Sequence, residues 1–287
     1  MTKLPAQPTF FEAQQWASFC LKTATLPTDA GRFLLLGLSH FDQTQLLVHY
    51  RDLVPNTLWQ AYQKAVQRVV AGEPAQYVLG TAPFYGLTLK VTPAVLIPRV
   101  ETEELVDWIL TDELTDKPLS LLDIGTGSGA IALSLKHEKP TWQVTASDIS
   151  AAALAVAQEN AVSLKLPVTF QQSDLFAQLG DHRYDVIVSN PPYIAADEKV
   201  VMDASVLNYE PQQALFAEHE GLAIYEQLAQ QVAQHLTPHG RLYLEFGYHQ
   251  GAAIKKLFTT AFPQATVTLR QDMAGHDRML RVVLASE

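Results

Sequence analysis

The residue types best suited to chemistry are Asn190-Pro191-Pro192-Tyr193, which follow the apolar run Tyr184-Asp185-Val186-Ile187-Val188-Ser189. That run reads as a buried β-strand, and the two prolines end it and stiffen the turn because their φ is fixed. A turn of this make-up suits a flat NH2 group. A primary amide nitrogen is a poor nucleophile, since its lone pair is delocalised into the carbonyl. The Asn190 side-chain oxygen can accept one of its hydrogens and the Pro191 main-chain oxygen the other. Held in that way, the nitrogen is aimed at an electrophilic methyl group, and charge building on it is favoured. Tyr193 can stack on the planar amide and help exclude water. No general base is required before the transfer. The bland alternative is a structural Asn-Pro turn at a strand end.

A second segment offers a place for a nucleoside. Leu121-Leu122-Asp123-Ile124-Gly125-Thr126-Gly127-Ser128-Gly129-Ala130-Ile131-Ala132 runs from a buried strand through a glycine-rich turn into a helix. Glycines permit positive φ and close approach of a ligand to the backbone, and the helix start presents unpaired N–H groups to an anion. The spacing is G-x-G-x-G. The G-x-G-x-x-G of dinucleotide enzymes forms a longer cradle for pyrophosphate, which a methionine tail does not need. Asp148 ends the next strand, 19 residues after Gly129, where a carboxylate can accept both hydroxyls of a ribose. Asp174 ends the third strand, where an adenine edge would lie.

These turns need a scaffold, and the chain supplies one. From Leu119 onward, strands at 120–124, 143–147, 167–172, 184–189, 241–246, 265–270 and 278–284 alternate with helices at 129–137, 151–162, 221–236 and 250–260. Such alternation predicts a parallel sheet covered on both faces. The last two strands have no room for a helix between them and are expected to be antiparallel. Glu101 to Thr111 reads as a helix. Ahead of it, residues 73–100 are broken by Gly72, Gly80, Pro83, Gly86, Pro93 and Pro98. Phe84 to Val91 reads as a strand there, with Val95-Leu96-Ile97 as its hairpin partner. Residues 9–72 read as about four short helices punctuated by Gly31 and Pro55. Thr9 with Glu12 has capping-box spacing before the first, and Asp42 and Asn56 are candidate caps for two others. The expected organisation is a helical domain over 1–72, a β-hairpin linker over 73–100 and an α/β domain over 101–287.

Composition narrows the setting. The chain has 287 residues, 48% of them hydrophobic and 17% charged, enough for a sizeable core. No stretch approaches the ~20 apolar residues that span a bilayer, and the amino terminus shows no leader pattern. Cys20 is the single cysteine, which rules out disulfides and thiolate metal sites. The nine histidines show no ligand spacing, so no metal is expected; His249 and His276 read as surface residues. A cytoplasmic location fits. The net charge is −10, with +2 on residues 1–72 (six Lys/Arg, four acids) and −12 on the rest (14 against 26). An acidic body repels phosphates and argues against a nucleic-acid substrate.

The glycine turn and the Asn-Pro-Pro-Tyr turn together resemble those of the amino-group methyltransferases, which act on exocyclic amines of adenine or cytosine or on glutamine amides. Glu73-Pro74-Ala75-Gln76-Tyr77-Val78-Leu79-Gly80, Phe84-Tyr85-Gly86-Leu87 and Val95-Leu96-Ile97-Pro98-Arg99-Val100-Glu101-Thr102-Glu103 narrow the choice. They are similar to the signature linker of the HemK/PrmC family, the protein-(glutamine-N5) methyltransferases of peptide chain release factors, and the resemblance spans residues 10–284. It implies a Rossmann-like, seven-stranded class I methyltransferase domain and S-adenosylmethionine as methyl donor. It also implies transfer to the glutamine of the Gly-Gly-Gln motif of release factors, giving N5-methylglutamine and S-adenosylhomocysteine. Carried over by position, Gly125, Thr126, Gly127, Ser128, Gly129, Asp148 and Asn190 are expected to contact S-adenosylmethionine. Asn190, Pro191, Pro192 and Tyr193 are expected to hold the substrate glutamine, with Asn190 and Pro191 catalytic. The family often has an aromatic residue after the third-strand Asp; here Leu175 stands there, giving a backbone or apolar contact, and Phe176 follows as a partial substitute. Arg99 and Glu101 would lie beside the site, with Arg99 alternatively bracing the linker through Glu101 or Glu103. Two other readings stay open: a nucleic-acid adenine or cytosine amino-methyltransferase acting on a flipped base, and a non-catalytic S-adenosylmethionine-binding protein.

Overall fold

Thr9 and Glu12 satisfy each other's backbone N–H groups in a reciprocal capping box, and the helix α1 (Phe10–Thr23) starts there. In the computed structural model, which describes residues 7–114 and 117–285, it is followed by α2 (Asp29–Ser39), α3 (Gln43–Val48), α4 (Asn56–Val70) and α5 (Ala75–Leu79). Asp42 and Gln45 repeat the capping box ahead of α3, whereas Pro55 rather than Asn56 is the cap position of α4. The stretch Met1–Ala6 that was read for a leader lies outside the described residues. Phe10, Ala17, Leu34, Leu35, Trp59 and Tyr62 form the apolar centre of this helical bundle, each large side chain contributing roughly 1.5–3 kcal/mol by leaving water.

Two expectations fail here for identifiable reasons. Gly31 does not punctuate the bundle; it lies inside α2, where a Cβ would meet the Ala17 methyl at 3.0 Å, and its carbonyl accepts a hydrogen bond from the Tyr62 hydroxyl at 2.8 Å. Glycine therefore serves close helix packing at that point. The Gly and Pro residues expected to break any helix over 73–100 leave room for α5: Pro74 occupies its N-cap and Gly80 its left-handed C-cap, so both residues bound a helix and neither interrupts one.

By its contacts the chain divides into two units. One runs to Thr81 and includes Asp203–Tyr209; the other comprises Ala82–Met202 and Glu210 onward. In the second, the hairpin is tighter than expected. Strand β1 (Thr81–Phe84) turns at Tyr85-Gly86 into β2 (Leu87–Lys90), with φ of 45° and 75° at the two turn residues. Two successive positive-φ residues make the turn whose twist suits a two-residue hairpin. The single strand expected over 84–91 is therefore folded back on itself, and Val95–Ile97 is not a strand. Phe84, Leu87 and Leu89 pack into the apolar core of this unit.

Helix α6 (Val100–Asp112) leads into β3 (Ser120–Ile124), α7 (Ala130–Glu138), β4 (Gln143–Asp148), α8 (Ala151–Leu164), β5 (Thr169–Gln172) and β6 (Tyr184–Ser189). A short helix, α9 (Ala204–Tyr209), belongs to the first unit. Then follow α10 (Ala223–His235), β7 (Leu236–Glu245), α11 (Gly251–Ala261), β8 (Thr266–Gln271) and β9 (Asp277–Val283). The strand order is β5-β4-β3-β6-β7-β9-β8. All pairs are parallel except those of β9, which is antiparallel to both β7 and β8, as the absence of a helix between the last strands predicts. Alternate residues face opposite layers: Leu121, Val186 and Val188 point into the core that includes α6 and α7, and Leu122 and Ile187 into the core that includes α10 and α11.

One buried polar residue ties the hairpin to this sheet unit. Asn160 of α8 accepts a hydrogen bond from the Lys90 N–H at 2.6 Å and donates to the carbonyls of Lys90 and Ser128 at 3.0 and 2.9 Å. Replacing Asn160 by Ala leaves those backbone groups unpartnered, and the expected outcome is a loss of roughly 2–3 kcal/mol of unfolding free energy, measured by urea denaturation of the variant and the parent.

Candidate functional site

The sheet reverses its order of growth between β3 and β6, and ligands in open α/β sheets bind beyond the strand ends at such a point. Ile124 and Ser189 are register partners there, and the Ser189 hydroxyl donates to the Ile124 carbonyl at 2.7 Å. The chain therefore leaves the two strands side by side, one into Gly125 and the other into Asn190.

Both turns line one cavity of about 450 Å3, within the range of small-molecule sites. Gly125, Thr126, Gly127, Ser128, Asp148, Leu175, Asn190, Pro191 and Pro192 all face it, as do Asp174 and Arg99. The N–H groups of Gly125 and Thr126 both donate to the Ser147 carbonyl at 2.9 Å, which folds the loop across the end of β4. Gly125 and Gly127 have φ of 71° and 56°, and a Cβ on either would meet nothing within 4 Å. Open space above a left-handed backbone is what a ligand lying on that backbone needs. Asp148 accepts hydrogen bonds from the N–H groups of Gly127 and Ser150, both at 2.9 Å. Burial nevertheless raises its pKa, with those backbone bonds acting in the opposite direction. Leu175 holds φ of 47°, steadied by the Ser173 hydroxyl on its carbonyl at 2.8 Å.

Gly129, Tyr193 and Phe176 are placed otherwise than the sequence suggested. Gly129 does not face the cavity. At φ of 84° it caps α7, and a Cβ there would lie 2.9 Å from Leu133 Cδ1 and 3.3 Å from the Ala157 methyl, so its missing side chain allows packing. Tyr193 is likewise absent from the lining. Its carbonyl accepts from Gln250 Nε2 at 2.9 Å, its ring packs with the α10–α11 core, and burial pushes its hydroxyl up to about 12. Gly221 makes this possible: a Cβ there would fall 2.1 Å from the Tyr193 carbonyl oxygen. Phe176 stacks on His235 with ring centres 4.3 Å apart and does not stand in for an aromatic beside Leu175. Arg99 does brace the segment that precedes α6, but through Glu210, at 2.5 Å, and not through Glu101 or Glu103. The second Glu210 oxygen accepts from the Ile97 N–H, while Glu103 accepts from the Tyr85 N–H.

Three participants carried no signal as site residues. Thr102 of α6 lines the cavity, and its hydroxyl accepts from Asn190 Nδ2 at 3.1 Å. Glu245 ends β7 and is fully buried, with the side chains of Thr102 and Asn190 facing its carboxyl. Glu210 is the third. An acid at the carboxyl end of an apolar strand is the only sequence feature that could have marked Glu245.

The arrangement fits S-adenosylmethionine. Left-handed glycines open onto the cavity for the methionine portion, the Asp148 carboxylate stands at a strand end for ribose hydroxyls, and Ile149, Ala153 and Leu175 are apolar walls for a purine.

Comparison with known proteins agrees with this geometry. Residues 107–215 match the methyltransferase small domain, and residues 12–80 match the PrmC N-terminal domain. The chain is 40% identical over 270 residues to the release factor glutamine methyltransferase of Enterococcus faecalis, covering 94% of this chain and 97% of the relative. It is 46% identical over 250 residues to that of Lactococcus lactis subsp. lactis, covering 87% and 92%. Among solved structures, a methyltransferase from Pyrococcus furiosus superposes with a TM-score of 0.53 at 17% identity, over 78% of this chain and 98% of that one. That likeness shows a methyltransferase fold.

Two outcomes are expected at this site. Asp148→Ala removes a charged acceptor, so the Kd for S-adenosylmethionine rises by about tenfold to a hundredfold in calorimetric titration. Asp123, buried behind the glycine loop, accepts from Thr126 Oγ1 and the Ala132 N–H, and burial raises its pKa to about 7. A raised carboxyl favours folding below its unfolded value and loses that contribution as pH rises through about 7. Chemical denaturation at about pH 5 and pH 8 should therefore show the stability of Asp123→Asn improving, relative to the parent, at the higher pH.

Proposed function

The chain belongs to the release factor glutamine methyltransferase family, and from that premise we infer that it methylates the side-chain amide nitrogen of the glutamine in the Gly-Gly-Gln motif of peptide chain release factors. S-adenosylmethionine supplies the methyl group, as an electrophilic carbon on a sulfonium sulfur. The protein's own contribution is binding and positioning. Gly125–Ser128 and Asp148 hold the donor, with Leu175 as an apolar contact.

Asn190 Oδ1 and the Pro191 carbonyl accept the two hydrogens of the substrate amide. That pair of acceptors fixes the plane of the amide and favours positive charge developing on its nitrogen. Pro191 and Pro192 keep the acceptors from turning away, since neither can change φ. The apolar walls of the cavity limit water and strengthen each of these contacts. The reaction yields N5-methylglutamine and S-adenosylhomocysteine, and the surplus proton leaves to solvent after transfer. No residue has to remove it first.

The observation that carries this reading is the pairing of Ile124 with Ser189, which sets the donor loop and the acceptor turn on one cavity. Residues 1–72 are proposed to recognise the release factor, 73–100 to link and 101–287 to catalyse. A cytoplasmic location suits a substrate that works in translation. Among the described residues no helix is long and apolar enough to cross a membrane. The net charge of −10 supports a protein over a nucleic acid as substrate.

The test is incubation with S-adenosylmethionine and a release factor, followed by peptide mass spectrometry. A single added CH2 on the Gly-Gly-Gln glutamine is expected, and methyl label on nucleic acid alone would overturn the assignment. Asn190→Ala is expected to keep donor binding while losing at least ~100-fold in turnover; near-normal turnover in that variant would exclude the acceptor role.

A further inference from the structure

An asparagine side chain can sit in either of two orientations that differ by exchange of its oxygen and nitrogen, and only one of them presents an acceptor to a substrate N–H. In this structure Asn190 Nδ2 faces the protein, donating to Thr102 Oγ1 at 3.1 Å. We propose that Thr102 and Glu245 are positioning residues that hold the Asn190 amide in this orientation, with Oδ1 turned to the cavity. The proposal rests on the reading of Asn190 as the acceptor for the substrate amide.

The directions of the hydrogen bonds carry the inference. Glu245 is 1% exposed and Thr102 5%, and the side chains of Thr102 and Asn190 both face the Glu245 carboxyl and lower its pKa against burial. An ionised carboxylate only accepts. The carboxylate beside the Thr102 hydroxyl is an acceptor for its proton, which leaves the hydroxyl's lone pairs for Asn190. The Asn190 NH2 group then has an acceptor for each hydrogen: Thr102 Oγ1 and the carboxylate. Turned over, the amide would set Oδ1 against a carboxylate and against a hydroxyl whose proton is already engaged. Three elements meet in this arrangement, since Thr102 is on α6, Glu245 ends β7 and Asn190 follows β6.

The same geometry makes the orientation sensitive to pH. Burial raises the Glu245 pKa to about 7, opposed by Thr102, Arg278 and Asn190 and reinforced by Glu101. Tyr193 and Tyr225 are the other titratable groups facing it; both are raised and neutral in this range. One carboxyl oxygen, Oε2, has no partner. Protonated, Glu245 becomes a donor, and it can then bond Asn190 Oδ1 and stabilise the reversed amide. The orienting form is the ionised one, so the preference is lost as pH falls through about 7.

Two readouts test this. The first is kinetics on a release factor at saturating S-adenosylmethionine from about pH 5.5 to 8.5. The parent's kcat should rise through about pH 7, and Glu245→Gln should lose that rise. Thr102→Val should lower kcat by about tenfold to a hundredfold with the KM for S-adenosylmethionine little changed, and Thr102→Ser should recover most of the loss. The second readout needs no methylation. The Asn190 side-chain NH2 pair in a 1H–15N spectrum, assigned by its absence in Asn190→Ala, should titrate near pH 7 in the parent but not in Glu245→Gln. An unchanged pH limb in Glu245→Gln, or an NH2 pair indifferent to both pH and Thr102→Val, would overturn the positioning role. A parent protein that titrates as expected but methylates no release factor would overturn the substrate assignment alone.

Discussion

Parallel strands that grow outward from the centre of a sheet leave a gap at the point of reversal, because the two central strands send their following segments to opposite faces. In this chain that gap opens between β3 and β6, and the hydrogen bond from Ser189 to the Ile124 carbonyl holds its two edges at strand spacing. The glycine loop and the Asn-Pro-Pro turn owe their closeness to this contact and to the ladder beneath it. Neither turn needs to reach across the molecule. Rigid strands deliver both, which is how a reaction that depends on positioning is best served.

The floor of the site is unusual in its use of buried acids. Asp123 and Glu245 lie beneath the two turns, and neither has a cation in hydrogen-bond contact; Asp123 bonds the Thr126 hydroxyl and the Ala132 N–H, and the Thr102 hydroxyl and the Asn190 amide face Glu245. Burial of a carboxylate without a counter-ion works against the folded state at neutral pH. Elsewhere the same unit pairs its buried acids with arginine: Glu113 with Arg241, Glu210 with Arg99 and Asp272 with Arg278. The unpaired acids sit where acceptor-only groups set the direction of neighbouring hydrogen bonds. Asp123 orders the glycine loop through Thr126, and Glu245 stands behind Asn190.

Glycine serves two distinct ends. At Gly125 and Gly127 the space above the backbone is empty, and it is the left-handed φ that requires the residue type. At Gly129, Gly221 and Gly31 a side chain would collide with Leu133, with the Tyr193 carbonyl or with Ala17, so there glycine permits close approach. A glycine-rich motif thus mixes residues that open onto the cavity with residues that seat the helix behind it.

Much of this was legible in the residue order. The continuous apolar runs of β3 and β6, the capping boxes at Thr9 and Asp42 and the glycine loop are local signals, each written within a few residues, and the structure agrees with them. The missing crossover before the last strand likewise marked its antiparallel pairing. What only tertiary structure decided depends on partners distant in the chain. Tyr85-Gly86 folds the expected strand into a hairpin because Leu87 and Leu89 find the sheet's core, and Gly31 stays helical because Ala17 and Tyr62 press against it. Tyr193 turns into the α10–α11 core because Gly221 and Gln250 make room for and bind its backbone. The tie from Thr102 and Glu245 to Asn190 spans 88 residues on one side and 55 on the other, and hydrogen-bond direction across such distances has no periodicity to read.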